Sequence, residues 1–206
     1  MSQTNRSNPK RYKWVPTGLL VTGLFIWCAL PGLSAKRDKY ETIEATAMGT
    51  STQLGQTAGI SVEIYEFSTP EDRQVLSAAF AKGQNQGLVN ALTKMRSVGH
   101  ISVTGTIGYD LAFIRLIPTP TGRKIRFVTN RQLRFGEVWA DSQSTAFNLT
   151  AGEFDMNDTD KSKSTGVLYP ECQLVIDKQG QLQIQLNQNS WNLVDVLDWK
   201  GTAGVN

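Results

Sequence analysis

Apolar and polar residues alternate over much of the chain, and a period of two is the pattern of half-buried β-strands. Residues 59–67 (GISVEIYEF) carry isoleucine and valine on one face and polar or aromatic residues on the other. Residues 181–186 (QLQIQL) alternate without a break, directly after a turn sequence at residues 177–180 (DKQG). We predict a strand at each place, and we expect the leucines and the isoleucine of the second to face inward.

Short segments of the same kind follow one another through the second half of the chain. Strands are predicted at residues 101–107, 110–117, 124–130, 133–139, 146–154, 166–176 and 191–199. Residues 110–117 are apolar on both faces, which is typical of a central strand. Residues 36–58 are rich in threonine, serine and glycine, which predicts a weak edge strand. The last segment (WNLVDVLDW) would also suit a short helix.

One segment instead has the spacing of an α-helix. Thr69 is a good N-cap residue, Pro70 suits the first helical position, and two acidic residues follow at the positive end of the helix dipole. An apolar stripe then continues at helical spacing, with an interruption at Gly83. We therefore predict one helical insertion at about residues 70–96, bent near Gly83, that covers one side of the sheet.

The number of strands and the length of their connections indicate the fold class. Short connections require antiparallel pairing, and so many strands in one domain normally close into a barrel or fold as two packed sheets. We predict a mainly β (α+β) fold: an antiparallel β-barrel or barrel-like sandwich of about nine or ten strands with the helical insertion on one side. Residues 36–206 are expected to form this single domain, since a chain of that length can bury a sizeable core.

Residues 1–35 have the order of a secretory signal peptide. Basic residues precede a short apolar run (residues 19–30), which is followed by a Pro-Gly pair and the small residues Ser34 and Ala35. The run is shorter than the roughly 20 residues of a membrane-spanning helix, although a single-span anchor is the alternative. We predict cleavage near Ser34 or Ala35, export to the periplasm or the extracellular space, and no membrane span after cleavage.

Removal of the leader changes the charge and the cysteine count. Residues 1–35 contain four basic residues and no acidic one, so the 21 basic residues of the chain fall to 17 against 18 acidic residues. A chain with that balance has no electrostatic basis for binding nucleic acid. Cys172 is the one cysteine outside the leader, so no internal disulfide is possible. A lone thiol is most often a small buried apolar group.

Charged residues are segregated in the middle of the chain. Between Asp110 and Glu137 lie six basic residues and no acidic one, and from Glu137 to Asp160 lie six acidic residues and no basic one. If the two stretches are neighbouring antiparallel strands, these charges face one another across the ladder. The alternative is a basic face that recognises an anionic group such as a phosphate or a carboxylate.

The candidate ligand-binding residues come from this basic stretch and from the segment before it: Arg115, Arg126, Arg134, His100 and Tyr109. Arg115 shares a strand face with Leu111 and Phe113, so we expect it to point into an interior and to have an acid or a ligand anion beside it. His100 is the only histidine, and no nucleophile motif accompanies it. A calcium loop that began at Asp155 would need glycine and glutamate where Asp160 and Gly166 stand, so no metal site is predicted. No cofactor and no catalytic residue is predicted either.

Five phrases of the sequence carry a resemblance: STPEDRQVL, KGQNQGLVNALTKM, GYDLAFIRLIPTPTGRKIRFVTNRQLRFGE, STGVLYP and LNQNSWNLVDVLDW. They resemble an uncharacterised group of secreted bacterial proteins of similar length. The resemblance covers nearly all of the chain after the leader. It implies export and a single domain, and it implies no activity and no functional residue.

Three functions are compatible with this pattern. The first is an exported, non-enzymatic binding protein whose β-barrel-like pocket takes a small anionic or partly apolar ligand. The second is a structural or partner-binding protein of the cell envelope, which would use an open sheet edge or the basic hairpin. The third is an unrecognised hydrolase or isomerase with carboxylates in the barrel mouth. A pocket with convergent polar groups would favour the first and the third, and a packed interior would favour the second.

Overall fold

The structure is a computed structural model that describes residues 40–133, 135 and 146–200. The predicted signal peptide with its cleavage site, Arg134 and most of the strand predicted at residues 133–139 lie outside the described residues. Among the helices that are described, none is long and apolar enough to cross a membrane.

The described residues form ten β-strands and one long helix, α1 (Pro70–Lys94). Two single turns of 3-10 helix, Ser51–Gln53 and Lys161–Lys163, lie in connections between strands. The strands are, in chain order, β1 (Glu41–Gly49), β2 (Thr57–Ile64), β3 (Gly99–Val103), β4 (Tyr109–Leu111), β5 (Phe113–Thr119), β6 (Gly122–Thr129), β7 (Leu149–Asn157), β8 (Thr165–Ile176), β9 (Leu182–Leu186) and β10 (Trp191–Lys200).

All strand pairs are antiparallel, and nine strands form one nearly closed, barrel-like sheet in the order β4-β3-β2-β1-β10-β8-β7-β6-β5. β9 lies off this path and pairs with β8. The two ends of the order, β4 and β5, are separated in the chain by Ala112 alone. Ser68, in the connection between β2 and α1, forms two hydrogen bonds with Ile114 of β5. The Ser68 N–H donates to the Ile114 carbonyl (2.7 Å), and the Ser68 hydroxyl accepts from the Ile114 N–H (3.0 Å). The predicted antiparallel, barrel-like fold with one helical insertion is confirmed.

The inner face of the sheet forms an apolar core inside the barrel. Inward and outward residues alternate along β1 and β2, as expected for strands with one buried face. Phe135 stacks on Trp191 with ring centroids 4.1 Å apart, and Phe127 packs on Phe154 at 5.7 Å. The β2 residues that the sequence pattern places on one face are all buried in this core: Ile60, Val62 and Ile64.

Helix α1 begins at the residue that the sequence predicts. Thr69 and Asp72 form a capping box, in which the Asp72 N–H donates to the Thr69 hydroxyl (3.2 Å) and the Thr69 N–H donates to the Asp72 carboxylate (2.8 Å). The backbone angles of Gly83 and Gln84 are not helical, so the helix is bent there. The predicted cap and the predicted bend are both confirmed.

A second apolar core lies between α1 and the outside of the barrel. Its buried members are three leucines of the helix and three residues of the sheet side: Leu76, Leu88, Leu92, Ala112, Leu149 and Cys172. The partly buried rings of Phe80, Phe113 and Tyr169 pack against them. The helix therefore covers one outer side of the barrel, as predicted, and the sheet is buried on both faces at this place.

The structure corrects two predictions about which strands are central. Residues 110–117 are not one central strand, because the chain breaks at Ala112 into β4 and β5, the two edges of the sheet. They are apolar on both faces because the barrel core lies on one side and the α1 core on the other. β1, predicted as a weak edge strand, lies between β2 and β10. Its Ala45 and Ala47 are buried, since small side chains leave room inside the barrel for larger ones.

Two further strand predictions are wrong in part. The strand predicted at residues 101–107 ends at Val103, and Ile107 beyond it is 94% exposed. The turn at residues 177–180 and the strand after it are present, but every residue of β9 is exposed, so its apolar residues do not face the barrel core. A period of two identifies the residues that share a strand face, but it does not determine whether that face is directed to the core or to solvent. The last segment, which also suited a short helix, is the strand β10.

Candidate ligand groove on the outside of the barrel

A groove of about 660 Å³ lies between α1, the outer face of β5 to β8, and the β8–β9 hairpin. Small-molecule sites in proteins have volumes of roughly 300–1,000 Å³, so the groove is large enough for a ligand. Its polar lining consists of Arg73, Ser77, Arg115, Arg126 and Glu153. Most of the lining is apolar: Leu76, Phe80, Leu88, Phe113, Val128, Leu149, Ala151, Tyr169, Cys172, Leu174, Leu182 and Ile184.

The register of the sheet separates the charged edge of the groove from its apolar floor. Arg115 of β5 lies opposite Arg126 of β6, which in turn lies opposite Glu153 of β7. Residues two apart on a strand share a face, so the next row of the same face lies directly beside this one. That row is entirely apolar: Phe113, Val128, Ala151 and Tyr169.

Glu153 is held by two cations of β6. Lys124 Nζ is 2.7 Å from one carboxylate oxygen, and the Arg126 Nε–H donates to the other. Partial burial acts to raise the Glu153 pKa, but the hydrogen bonds from Lys124 and Arg126 outweigh it, so the pKa is lowered. Hydrogen bonds to Glu153 and Asp155 raise the pKa of Lys124 in turn. The basic and acidic blocks of the sequence therefore do face one another between β6 and β7.

The sequence places Arg115 on one strand face with Leu111 and so predicts that it points into the barrel. This prediction is wrong, because Arg115 lies on the outer side of the sheet. The chain changes from one sheet edge to the other at Ala112, and this change interrupts the alternation. Leu111 is consequently in the barrel core, whereas Phe113 packs in the core under α1. Arg115 follows Phe113 on that outer face and lines the groove, half-buried.

Two guanidinium groups at the groove have no acidic partner in the part of the chain that the structure describes. Within the described part of the chain, neither Arg73 nor Arg115 makes a side-chain hydrogen bond or an ion pair. Arg73 extends from the first turn of α1, and Arg115 from the facing strand β5. A cation beside an apolar surface forms its strongest hydrogen bonds with an anion that binds there and is shielded from water. These two side chains are therefore the groups that an anion in the groove would meet.

Two other predicted site residues, His100 and Tyr109, lie away from the groove. His100 Nε2 is 2.8 Å from the Ile107 carbonyl oxygen, and His100 Nδ1 is 3.4 Å from the Asp110 carboxylate. Tyr109 is exposed on the neighbouring strand β4, and neither His100 nor Tyr109 lines the groove. Arg134 falls outside the described residues. Of the five candidates, the structure brings together Arg115 and Arg126.

Cys172 contributes its thiol to the floor of the groove. It is 1% exposed and belongs to the core under α1, so it is the small buried apolar group that its isolation in the sequence predicts. Burial raises its pKa to about 12. The thiol is therefore protonated at neutral pH and adds to the apolar lining.

A second polar cluster lies inside the barrel, at one end. Arg123 of β6 reaches across to β1 and β10, where its Nη2 is 2.6 Å from the Glu41 carboxylate and 2.8 Å from that of Asp198. The three side chains are 12%, 1% and 6% exposed, respectively. Burial, together with a hydrogen bond shared with Asp198, raises the pKa of Glu41 to about 7 against the opposing charge of Arg123. Glu41 therefore keeps its proton up to about neutral pH.

Sequence reasoning missed this cluster and one arginine of the groove. Arg123 is one of six basic residues in its stretch, and no local signal separates it from the others. Glu41 and Asp198 meet only because β1 pairs with β10. Arg73 belongs to the groove because α1 packs on the outside of the sheet, and helical spacing alone does not determine that packing.

The described residues define a helix-covered, barrel-like β-protein with an open groove between helix and sheet. Among them, no group of three or more His, Cys, Asp or Glu side chains is placed to hold a metal ion. Comparison of the chain with protein-family models, with curated proteins and with solved structures finds no match. Its resemblance to secreted bacterial proteins stays a prediction, and its function is inferred from the groove.

Proposed function

We propose that the protein is an exported, non-enzymatic binding protein that takes a small anionic ligand with an apolar part. The observation that carries this proposal is the pair Arg73 and Arg115, which lie beside an apolar groove of about 660 Å³ and have no acid partner among the described residues. The groove, on the outside of the barrel, replaces the barrel pocket that the sequence suggested. Export follows from the predicted leader.

The groove has the division of tasks that such a ligand requires. A guanidinium binds a carboxylate or phosphate through paired, charge-assisted hydrogen bonds, which fix the orientation of the anion. The floor row of Phe113, Val128, Ala151 and Tyr169 removes the apolar part of the ligand from water. The floor is also preorganised, because the strands beneath it are buried on their other face by the barrel core.

The enzyme alternative would need accessible carboxylates, and the acid pair inside the barrel, Glu41 and Asp198, does not supply them. A hydrolase would need a carboxylate that reaches substrate, but the Glu41 and Asp198 side chains are 1% and 6% exposed and both are bound by Arg123. The envelope-partner alternative rests on the β8–β9 hairpin, whose exposed strand β9 pairs with β8 on one side. A saturable small-molecule site that depends on Arg115 would separate the binding protein from the envelope-partner alternative.

Fluorescence titration with anilinonaphthalene sulfonate, an aromatic anion, tests the proposal on the chain without its leader. The parent protein should bind the dye at one saturable site, and Arg115→Gln should weaken binding roughly tenfold or more, the effect of one lost charge-assisted hydrogen bond. Arg96→Gln is the matched control, because Arg96 pairs with Glu66 away from the groove. Equal affinity in the two variants, or no saturable binding at all, would overturn the proposal.

A further inference from the structure

Strand β9 has an open edge. It pairs with β8 on one side, and no strand pairs with its other side in the part of the chain that the structure describes. Every residue of β9 is exposed, including Leu182 (60%), Ile184 (44%) and Leu186 (39%). An open strand edge presents unpaired N–H and C=O groups, so a further strand can add to it.

The hydrogen bonds to β8 determine which backbone groups of β9 are available. The Asp177 N–H donates to the Gln181 carbonyl (2.9 Å), and the Asn187 N–H donates to the Glu171 carbonyl (3.0 Å). Backbone direction alternates along an antiparallel strand, so the odd-numbered residues between these two positions also bond toward β8. The three apolar residues of β9 therefore direct their N–H and C=O groups to the open side.

The sequence of β9 lacks the residues that usually protect such an edge. Natural sheets commonly carry charged side chains or proline there, which hinder the addition of another strand. The two ends of the sheet order fit this rule, with Asp110 in β4 and with Arg115 and Pro118 in β5. Residues 179–194, which include β9, contain no charged residue and no proline. Nothing in this stretch opposes pairing with another uncharged strand.

The sequence of β9 is also symmetric. Residues 182–186 read LQIQL in both directions, with Ile184 at the centre. Two copies of this strand, paired antiparallel about a two-fold axis, place Ile184 opposite Ile184 of the second copy and each leucine opposite a leucine. Each of these residue pairs exchanges both of its N–H···O bonds, because the groups that point to the open side belong to the same three residues.

The polar face of β9 matches in the same register, which places Gln183 opposite Gln185 of the second copy. Within one protomer, the Gln183 side-chain amide donates to Asp177, and the Gln185 side-chain carbonyl accepts from Gln173 (2.9 Å). Gln183 thus has its carbonyl oxygen, and Gln185 its NH₂ group, to offer across the axis. A donor therefore faces an acceptor in each of these pairs.

We propose that the protein forms a symmetric dimer in which β9 pairs antiparallel with β9 of a second copy. The two β8–β9 hairpins then form one continuous sheet, and their leucine and isoleucine side chains pack across the new strand pair. The paired edge is 5 residues long, so it is smaller than a standard interface of about 1,600 Å². We expect a reversible dimer with a dissociation constant of roughly 1–100 µM.

Sedimentation velocity of the chain without its leader, over a concentration series up to about 500 µM, tests the dimer. Ile184→Lys places two ammonium groups opposite each other at the axis and should raise the dissociation constant roughly tenfold or more. Ile176→Lys is the matched control, because Ile176 is similarly exposed on the same hairpin face but belongs to β8. A parent that stays monomeric, or association that Ile184→Lys weakens no more than Ile176→Lys does, would overturn the proposal.

Disulfide trapping in a glutathione buffer tests the register. Ile184→Cys places each new thiol beside its own counterpart, with Cα atoms about 5.5 Å apart, a distance that permits a disulfide. Leu182→Cys is the control, because its thiol lies opposite Leu186 and far from its counterpart. Cys172 is buried and does not compete. A covalent dimer of Ile184→Cys alone is expected, and any other result would overturn pairing about Ile184.

Discussion

Arg123 and Arg115 lie on neighbouring strands of one sheet, but they face opposite sides of it. Inside the barrel, Arg123 binds Glu41 and Asp198 and is almost fully withdrawn from water. On the outside, Arg115 borders an open groove and has no acid partner among the described residues. On the inner side the charge of Arg123 is neutralised by acidic side chains of the protein itself. On the outer side Arg115 and the apolar groove floor are accessible to a ligand.

This difference indicates that the inside of the barrel contributes to stability and that the outer groove contributes to binding. Barrels that hold a ligand inside keep their lumen free of large side chains, but here rings such as Trp191 and Phe154 occupy it. The helix then creates a second, shallower enclosure on the outer face, which is closed around Leu92 and open near Arg115. Changes inside the barrel should therefore alter folding, and changes at the groove should alter binding with little effect on folding.

The largest effect is expected from removing the buried cation. Arg123→Met leaves the buried acids Glu41 and Asp198 without their cation, and losing one partner of a buried ionic group costs about 3–5 kcal/mol. Urea denaturation measures the change in the free energy of unfolding. Arg126→Gln, on the exposed side of the same strand, is the control and should cost far less. The triple variant Arg123→Met/Glu41→Gln/Asp198→Asn should recover much of the loss, and equal stability of the two single variants would contradict the comparison.

The next effect concerns pH and comes from Glu41. Its pKa is raised from 4.5 to about 7 in the folded state, so its contribution to stability is fully present below about 4.5 and is lost as the pH rises through about 7. We expect the free energy of unfolding to fall by roughly 2–3 kcal/mol across this window. Glu41→Gln keeps a neutral, hydrogen-bonding side chain and should flatten the profile. Parallel profiles for parent and variant would show that another group is responsible.

A smaller effect tests how α1 is held over the groove. Thr69→Ala removes the hydroxyl that accepts the Asp72 N–H, and loss of such a cap costs about 1 kcal/mol. Thr69→Ser retains the hydroxyl and should behave as the parent in the same urea titration. If both variants have the parent midpoint, the cap does not contribute to stability.

The smallest effect distinguishes Arg115 from Arg126, the two arginines that lie opposite each other at the groove. A double-mutant cycle on Arg126 and Glu153 should give a coupling of about 0.2–1 kcal/mol, because the pair is well aligned but Arg126 is largely exposed. Arg115→Gln should leave the free energy of unfolding unchanged, since no ion pair among the described residues is lost. A marked destabilisation by Arg115→Gln would assign it a structural role instead.

Local chemistry made much of this fold predictable from sequence. Thr69 and Pro70 define a helix start by themselves, and the turn at residues 177–180 needs no distant contact. Alternation likewise identified β2 and β9 as strands. Each of these features depends on residues that are close in the chain, where propensity and hydrogen bonding decide the outcome.

Contacts between distant segments account for what sequence reasoning did not find. The interruption at Ala112 turns one apolar stretch into two sheet edges, and it places Arg115 on the side opposite to the one expected. The three charges of Arg123, Glu41 and Asp198 are brought together by closure of the sheet. The pairing of Arg126 with Glu153 is one of the two alternatives that the opposite charges of the two stretches left open. Arg123 belongs to the same basic stretch, and its different partners have no local signal in the sequence.

The pairing of β1 with β10 has a consequence for how the protein comes into being. These are the first and last described strands, and Glu41 lies opposite Lys200. A chain that leaves a ribosome or an export channel with its N-terminus first cannot complete this pairing until residue 200 has emerged. Until then β1 lacks one of its two neighbours, and the barrel stays open. The strand order thus delays closure of the sheet until residue 200 has emerged, however early β1 and β2 pair with each other.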